Sequence, residues 1–259
     1  MPSPAVSRRS GRRRSFAIAA AALAGLLLPS AAAGEVRSGA LQGPPGISRS
    51  KVLVVGVDGT RWDLVRRLTD EGRLPNLRRM AGDGFAIPSM LQYAPPQAFT
   101  MSAVGWSTIS SGVWPAKHGV VGLFNDDAAQ AGKNGYADFL TRLERVNPAF
   151  STFSVTDWGN LGLHHDGGPI FGDDIDVKHA VSAEDSIPAY EAADAESVRI
   201  AGDYLRTGDP DAGFVYLGLV DETGHVVGST GPAYREAIVL ADRRIGHLLR
   251  SIDARPTRA

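Results

Sequence analysis

KVLVVGVDGT, residues 51–60, decides the fold. VLVVGV is a short unbroken β-branched run, the pattern of a strand buried on both faces of a parallel sheet. Asp58-Gly59-Thr60 then stands at its carboxyl end, and RWDLVRRLTDEG (61–72) reads as the following helix, closing at Gly72. Working outward, LPNLRRMAGDG (74–84) predicts a second helix ending near Gly82 or Gly84, and AIPSMLQY (86–93) a second strand. GWSTISSG (105–112) reads as a helix start. AFSTFSVTDW (149–158) contains a strand, whereas the rest of 123–190, with HHDGGPIFGDDID, reads as loops over the sheet's edge. IPAYEAADAESVRIAGDYLRTG (187–208) is an amphipathic helix ended by Gly208, GFVYLGLVD (213–221) another buried strand, and PAYREAIVLADRRIGHLLRSI (232–252) a helix with Pro232 in its first turn. Strands alternating with helices predict an α/β fold with a doubly wound, mostly parallel sheet. In such sheets ligands bind beyond the carboxyl ends of the strands, where Asp58 and Asp221 both fall.

The N-terminus is a separate object. RRSGRRRSF (8–16) precedes AIAAAALAGLLLPSAAAG (17–34), a basic region, an apolar stretch and a small-residue site before Gly34. Residues 1–33 therefore read as a secretory signal, of twin-arginine or ordinary Sec type, and predict export from a bacterium with no membrane span left once the signal is removed. Residues 34–50, rich in Gly, Pro and Ser, read as a flexible linker, and 51–259 as the folded domain. Removing 1–33 takes five arginines and no acids, so 27 − 5 = 22 basic residues face 28 acidic ones, a net of −6. Such a surface gives no electrostatic case for binding nucleic acid. With no cysteine, any metal must be held by His, Asp, Glu or hydroxyl oxygen.

VDETGH (220–225) places Asp221 and His225 four apart across a glycine-containing turn, and carboxylate plus imidazole suits zinc. Each residue alone also has a plain reading: Asp58 as the cap of the next helix, Asp221 and His225 as cap or surface residues. In TMSAVGWSTISSGVWPAKHGVVG (100–122), Ser102 stands just before a helix beginning near Gly105, whose N–H groups make a natural phosphate cradle. GWSTI lacks the second glycine of a GxSxG elbow. A metal ion would serve as activator instead, metal coordination being one of the recognised ways to activate a hydroxyl.

VGVDGTRWD (55–63), SAVGWSTISSGVWPAKHGV (102–120) and VDETGHVVG (220–228) resemble successive motifs of the alkaline-phosphatase superfamily. They are most similar to its type I phosphodiesterase/nucleotide pyrophosphatase branch. The resemblance implies an alkaline-phosphatase-like sheet and a hydrolase of phosphodiester or pyrophosphate bonds acting on a small phosphodiester or nucleotide-like substrate. It implies two divalent metal ions, zinc by analogy, with Asp58 and Ser102 on one and Asp221 and His225 on the other. Ser102 would be the nucleophile. Gly105 falls where many relatives carry an Asn that holds a phosphate oxygen, and Trp106 would shape the pocket wall. His118 reads as structural, His164–His165 as a solvated loop, Asp126–Asp127 and Asp173–Asp174 as surface acids and His247 as surface. The family pattern continues with a strand ending in Asp-His-Gly and a further His, neither of which follows Ile252. The resemblance therefore also implies a C-terminally truncated member lacking those strands, whose alternative reading is a catalytically inactive chain or binding remnant. No motif sets an oligomeric state.

Overall fold

The computed structural model describes residues 50–88, 100–121, 128–164 and 167–256. The expected signal, nearly all of the linker, most of the expected strand 86–93, Asp126–Asp127 and His165 lie outside the described residues. Among those described, four strands form one parallel sheet, β1 (Val52–Val57), β2 (Thr152–Thr156), β3 (Val177–Ala180) and β4 (Ala212–Leu217), in the order β1-β4-β2-β3. The register sets Val54 and Ser154 on either side of Phe214.

β4 shows why the sheet is wound on both faces. All six of its residues are buried. Phe214 and Tyr216 join a cluster with Trp106, Leu140, Leu161 and Phe171. Val215 and Leu217, pointing the other way along the two-residue repeat, join Phe153, Val155, Val198 and Leu248. The first face carries α3 (Ser102–Ser111), α6 (Phe139–Val146) and α7 (Gly159–Gly162), and the second the long α8 (Ile187–Thr207) and α10 (Pro232–Asp253). Phe214 is fully buried, stacks on Phe171 at 4.3 Å and meets Trp106 edge-on at 5.7 Å. Burying such a ring contributes about 2 kcal/mol.

Three local expectations change. β1 is half-buried rather than covered on both faces, because it lies at the sheet's edge with β4 as its one hydrogen-bonded neighbour among the described residues, and Val52 is exposed. α3 starts at Ser102 itself, three residues before Gly105, since Met101 is already extended and nothing from Ser102 to Ser111 breaks a helix except a tolerated glycine. The segment 123–190 holds helices α5 (Gln130–Lys133), α6 and α7 and strand β3, not loops alone. Asp138 nucleates α6 by accepting from the N–H groups of Leu140 and Thr141, a cap hidden in a stretch that looks aperiodic.

α1 (Trp62–Asp70) and α2 (Pro75–Asp83) follow β1, the latter capped by Gly84. α4 (Pro115–His118) follows α3, and α9 (Leu219–Val227) follows β4 after Gly218. Among the described residues no helix is long and apolar enough to cross a membrane.

Candidate active site

Three chain segments converge at the carboxyl ends of β1 and β4. The first is the turn after β1. Asp58 N–H donates to Leu217 O, tying the turn to the end of β4. Tyr234 of α10, fully buried, donates its hydroxyl to Gly59 O and accepts from Arg61 N–H at 3.1 Å. Gly59 has φ +64°, and a Cβ there would lie 2.5 Å from Asp221 Oδ1. Its lack of a side chain lets the β1 turn and α9 touch.

The second segment is the start of α3. Ser102 is its first residue, and the N-cap residue Met101 supplies no side-chain cap, so the first-turn N–H groups that every α-helix leaves without an intrahelical partner lie beside this serine. Ser102 Oγ donates to Asp58 Oδ2 at 3.0 Å. Trp106 Nε1, one turn later, donates to the same oxygen at 2.8 Å. The Trp106 ring can reach it because β1 carries glycine at 56: a Cβ there would sit 2.3 Å from the ring. Tyr216, the last residue but one of β4, donates its hydroxyl to Asp58 Oδ2 at 2.7 Å. Burial and the charge of Asp58 push the Tyr216 phenol upward, so it stays a donor. Gly59 N–H serves Oδ1 at 2.8 Å. Asp58 is thus a carboxylate held by four donors from two elements, α3 and β4, and the turn.

The third segment is the first two turns of α9. Asp221 and His225 lie one helical turn apart on a continuous helix, not across a turn, with His225 Nε2 3.3 Å from Asp221 Oδ2. Their four-residue spacing converges because a helix stacks i over i+4. Burial, then the charge of Asp58, raises the Asp221 carboxyl to about 6 against the pull of His225. His225 is largely in solvent.

Asp58, Ser102, Gly105, Trp106, Asp221 and His225 all line one cavity of about 860 Å³. The six residues singled out from sequence are therefore brought together. Gly105 has open space over its Cα, and its N–H donates to Met101 O, so what it offers the cavity is room rather than a donor. Trp106 is buried and lines the wall, but its nitrogen serves Asp58. Sequence reasoning missed Tyr216, Trp158 and Tyr190, which also line the cavity. A tyrosine inside an otherwise apolar buried strand was the available signal, since its hydroxyl needs a partner.

The other histidines separate cleanly. His118 is fully buried, its Nε2 2.9 Å from Thr108 Oγ1 and its Nδ1 accepting Val120 N–H at 3.0 Å, and burial pushes it down to about 4. It joins α3 to α4 as a neutral hinge pin. His164 is exposed and pairs with Asp173 at 2.6 Å, and His247 is exposed on α10.

The donor set fits a divalent cation in kind. Carboxylate, hydroxyl and imidazole are suitable ligands, and Asp58 and Asp221 face one space where the charge of Asp58 raises the cost of charge on Asp221. In number it is sparse: among the described residues no group of three or more His, Asp or Glu is close enough to hold a metal ion.

Ectonucleotide pyrophosphatase/phosphodiesterase family member 7 of Homo sapiens is 25% identical over 252 residues, 89% of this chain and 48% of the human protein. Venom phosphodiesterase CdcPDE of Crotalus durissus collilineatus is 23% identical over 230 residues, 84% of this chain and 26% of its own length. The chain thus spans half or less of the curated relatives it matches. Among solved structures, murine ectonucleotide pyrophosphatase/phosphodiesterase 5 superposes with a TM-score of 0.53 at 20% identity, covering 79% of this chain and 52% of that one. Phosphonoacetate hydrolase from Sinorhizobium meliloti, with phosphonoformate bound, gives a TM-score of 0.50 at 18% identity, over 78% of this chain and 54% of that one. These likenesses establish the fold. The profile of the type I phosphodiesterase/nucleotide pyrophosphatase family matches residues 52–259, from the first residue of β1 onward, and the chain belongs to that family.

Proposed function

We propose that the chain is a metal-dependent phosphoric-ester hydrolase of phosphodiesterase/nucleotide pyrophosphatase type, with Ser102 as its nucleophile. The observation that carries this reading is the meeting of Ser102, Asp58, Asp221 and His225 in one cavity at the strand ends. Asp58 with Ser102, and Asp221 with His225, would hold two divalent cations, with zinc the expected ion. When bound, such cations lower the proton affinity of a hydroxyl and stabilise charge on a leaving oxygen. The chain's own residues do the rest. Asp58 Oδ2 holds the Ser102 proton on its side of the hydroxyl, which turns the Oγ lone pairs toward the cavity. Tyr216, Trp106 and Gly59 keep that carboxylate from rotating away. The start of α3 supplies N–H groups for the phosphoryl oxygens. Attack by Ser102 Oγ, its proton lost to solvent water, forms the O–P bond as the P–O bond to the leaving alkoxide or phosphate breaks, and water then cleaves the serine ester and returns a proton to the hydroxyl.

The substrate class we infer is a small phosphodiester or nucleotide-like compound. Support comes from the family and from the AMP held by an inactive variant of the murine structural neighbour, which matches at a TM-score of 0.52 and 20% identity. Trp158, Tyr190 and Tyr216 give the cavity aromatic faces suited to a base or other flat group. Export, inferred from residues 1–33, belongs to the same reading.

The test is hydrolysis of bis(p-nitrophenyl) phosphate with added zinc, beside Ser102→Ala. Zinc-dependent turnover that falls by about a thousandfold or more in the alanine variant is the expected outcome. Turnover that survives Ser102→Ala would remove the serine from the chemistry. Zinc binding without turnover would leave a chain that holds the ion and does not cleave.

A further inference from the structure

α9 carries half of the candidate site, yet it begins on a residue that cannot cap it. Its N-cap is Gly218, with no side chain and no side-chain cap of its own. The first amides of a buried helix need acceptors, and a missing one leaves the helix start free to shift. Here the acceptor comes from another helix. Asp194, in the middle of α8 and fully buried, accepts from Gly218 N–H at 2.8 Å and Leu219 N–H at 3.3 Å through Oδ1. Its Oδ2 faces Arg244 Nη1 of α10 at 2.6 Å, and Arg244 Nη2 donates to Glu191 O of α8 at 2.6 Å. Both partners of the ion pair are buried, at 0% and 7% side-chain exposure.

Gly218 is boxed in from other sides as well. A Cβ there would come within 2.6 Å of the Tyr190 ring and 3.0 Å of Asp157 Oδ1, so nothing larger fits. Asp157, at the carboxyl end of β2, is buried with neither oxygen hydrogen-bonded among the described residues. Burial and the neighbouring Asp194 push its carboxyl well above the usual range. The ion pair of this corner is Asp194 with Arg244.

A buried ion pair adds little net stability over well-packed apolar residues, so what it offers a fold is fixed geometry. We propose that Asp194, held from behind by Arg244, is a positioning residue: it docks the first turn of α9 and thereby sets Asp221 and His225 opposite Asp58. The proposal rests on the reading of the site given above. It assigns Asp194 no contact with substrate or cation, since it lines none of the cavity's wall and reaches the site through two amides.

The experiment uses two double variants of the full chain, so that no charge is left buried alone. Asp194→Ala with Arg244→Met removes the acceptor, and Asp194→Asn with Arg244→Met restores a neutral acceptor oxygen at the same place. Amide hydrogen exchange and zinc titration by calorimetry are read on both and on the unaltered chain. The expected result is faster exchange at Gly218, Leu219 and along α9 in the alanine variant, with β4 and α10 unchanged. Zinc affinity should fall tenfold or more, about the cost of losing a group that orients metal ligands, and the asparagine variant should recover both. Unchanged α9 exchange in the alanine variant would overturn the proposal, as would zinc affinity equal in all three proteins despite faster exchange. Failure of the unaltered chain to bind zinc would instead sink the reading of the site, while the exchange data still decide whether Asp194 docks α9.

Discussion

The two carboxylates that face each other across the cavity are built in opposite ways. Asp58 is satisfied four times over, by Gly59 N–H, Ser102 Oγ, Trp106 Nε1 and Tyr216 OH, and these donors come from β1's own turn, α3 and β4. Among the described residues Asp221 pairs with the exposed His225 at 3.3 Å, and burial, then the charge of Asp58, raises its carboxyl to about 6. One side of the site is a pre-organised anion. The other is a carboxylate carried by its helix beside one imidazole. A protein that needed Asp58 and Asp221 only as helix caps would not spend buried Trp and Tyr donors on one and leave the other repelled. On the proposed reading, a cation between them would answer that difference.

The contrast can be broken most severely at Gly56. Gly56→Val drives a side chain into the Trp106 ring, which must leave Asp58, and overpacking of this kind costs about 1–3 kcal/mol. A drop in thermal midpoint together with loss of hydrolysis is the expected result, and a variant with unchanged midpoint and activity would mean Trp106 does not depend on the glycine.

A milder cut is Tyr216→Phe. Oδ2 keeps Ser102 and Trp106, so stability should fall by only about 1 kcal/mol. Hydrolysis should fall about tenfold if orienting Asp58 matters to the reaction. Steady-state kinetics beside chemical denaturation separates the two effects, and equal losses in Trp106→Phe would show that the donors share one role.

The smallest effect sharpens the other side. With chelator present, Asp221→Asn should stabilise the protein at pH 7. The Asp221 carboxyl is raised in the folded state, so the stability it brings is present below about pH 4 and is lost as pH rises through about 6. With the carboxyl partly in solvent, the gain from Asn at pH 7 is about 1 kcal/mol, vanishing near pH 3. A destabilised variant at pH 7 would mean the Asp221–His225 pair outweighs the repulsion.

What was legible in the sequence was what depends on short-range pattern. β1, β4, α8 and α10 follow from unbroken apolar runs and long amphipathic periods, and Asp58, Ser102, Asp221 and His225, which share one cavity, all fall in the three motifs. What was not legible depends on partners far along the chain. Asp138 caps α6 in a stretch without periodicity, and β1's half-burial depends on its place at the sheet's edge. The helical setting of Asp221 and His225 was hidden because Gly218 and Gly224 look like turn residues, while the acceptor for the first amides of α9 is Asp194, twenty-four positions earlier. Tyr216 reads as a core residue until Asp58 is found beneath its hydroxyl, across 158 positions.

The most direct measurement of the central claim is to catch the serine in the act. The chain, loaded with zinc and given the p-nitrophenyl ester of a nucleoside monophosphate, would be quenched in acid, digested and examined by mass spectrometry. The account predicts a nucleotidyl group on the peptide containing Ser102, absent from Ser102→Ala. Turnover with no adduct on that peptide, undiminished in the alanine variant, would contradict it.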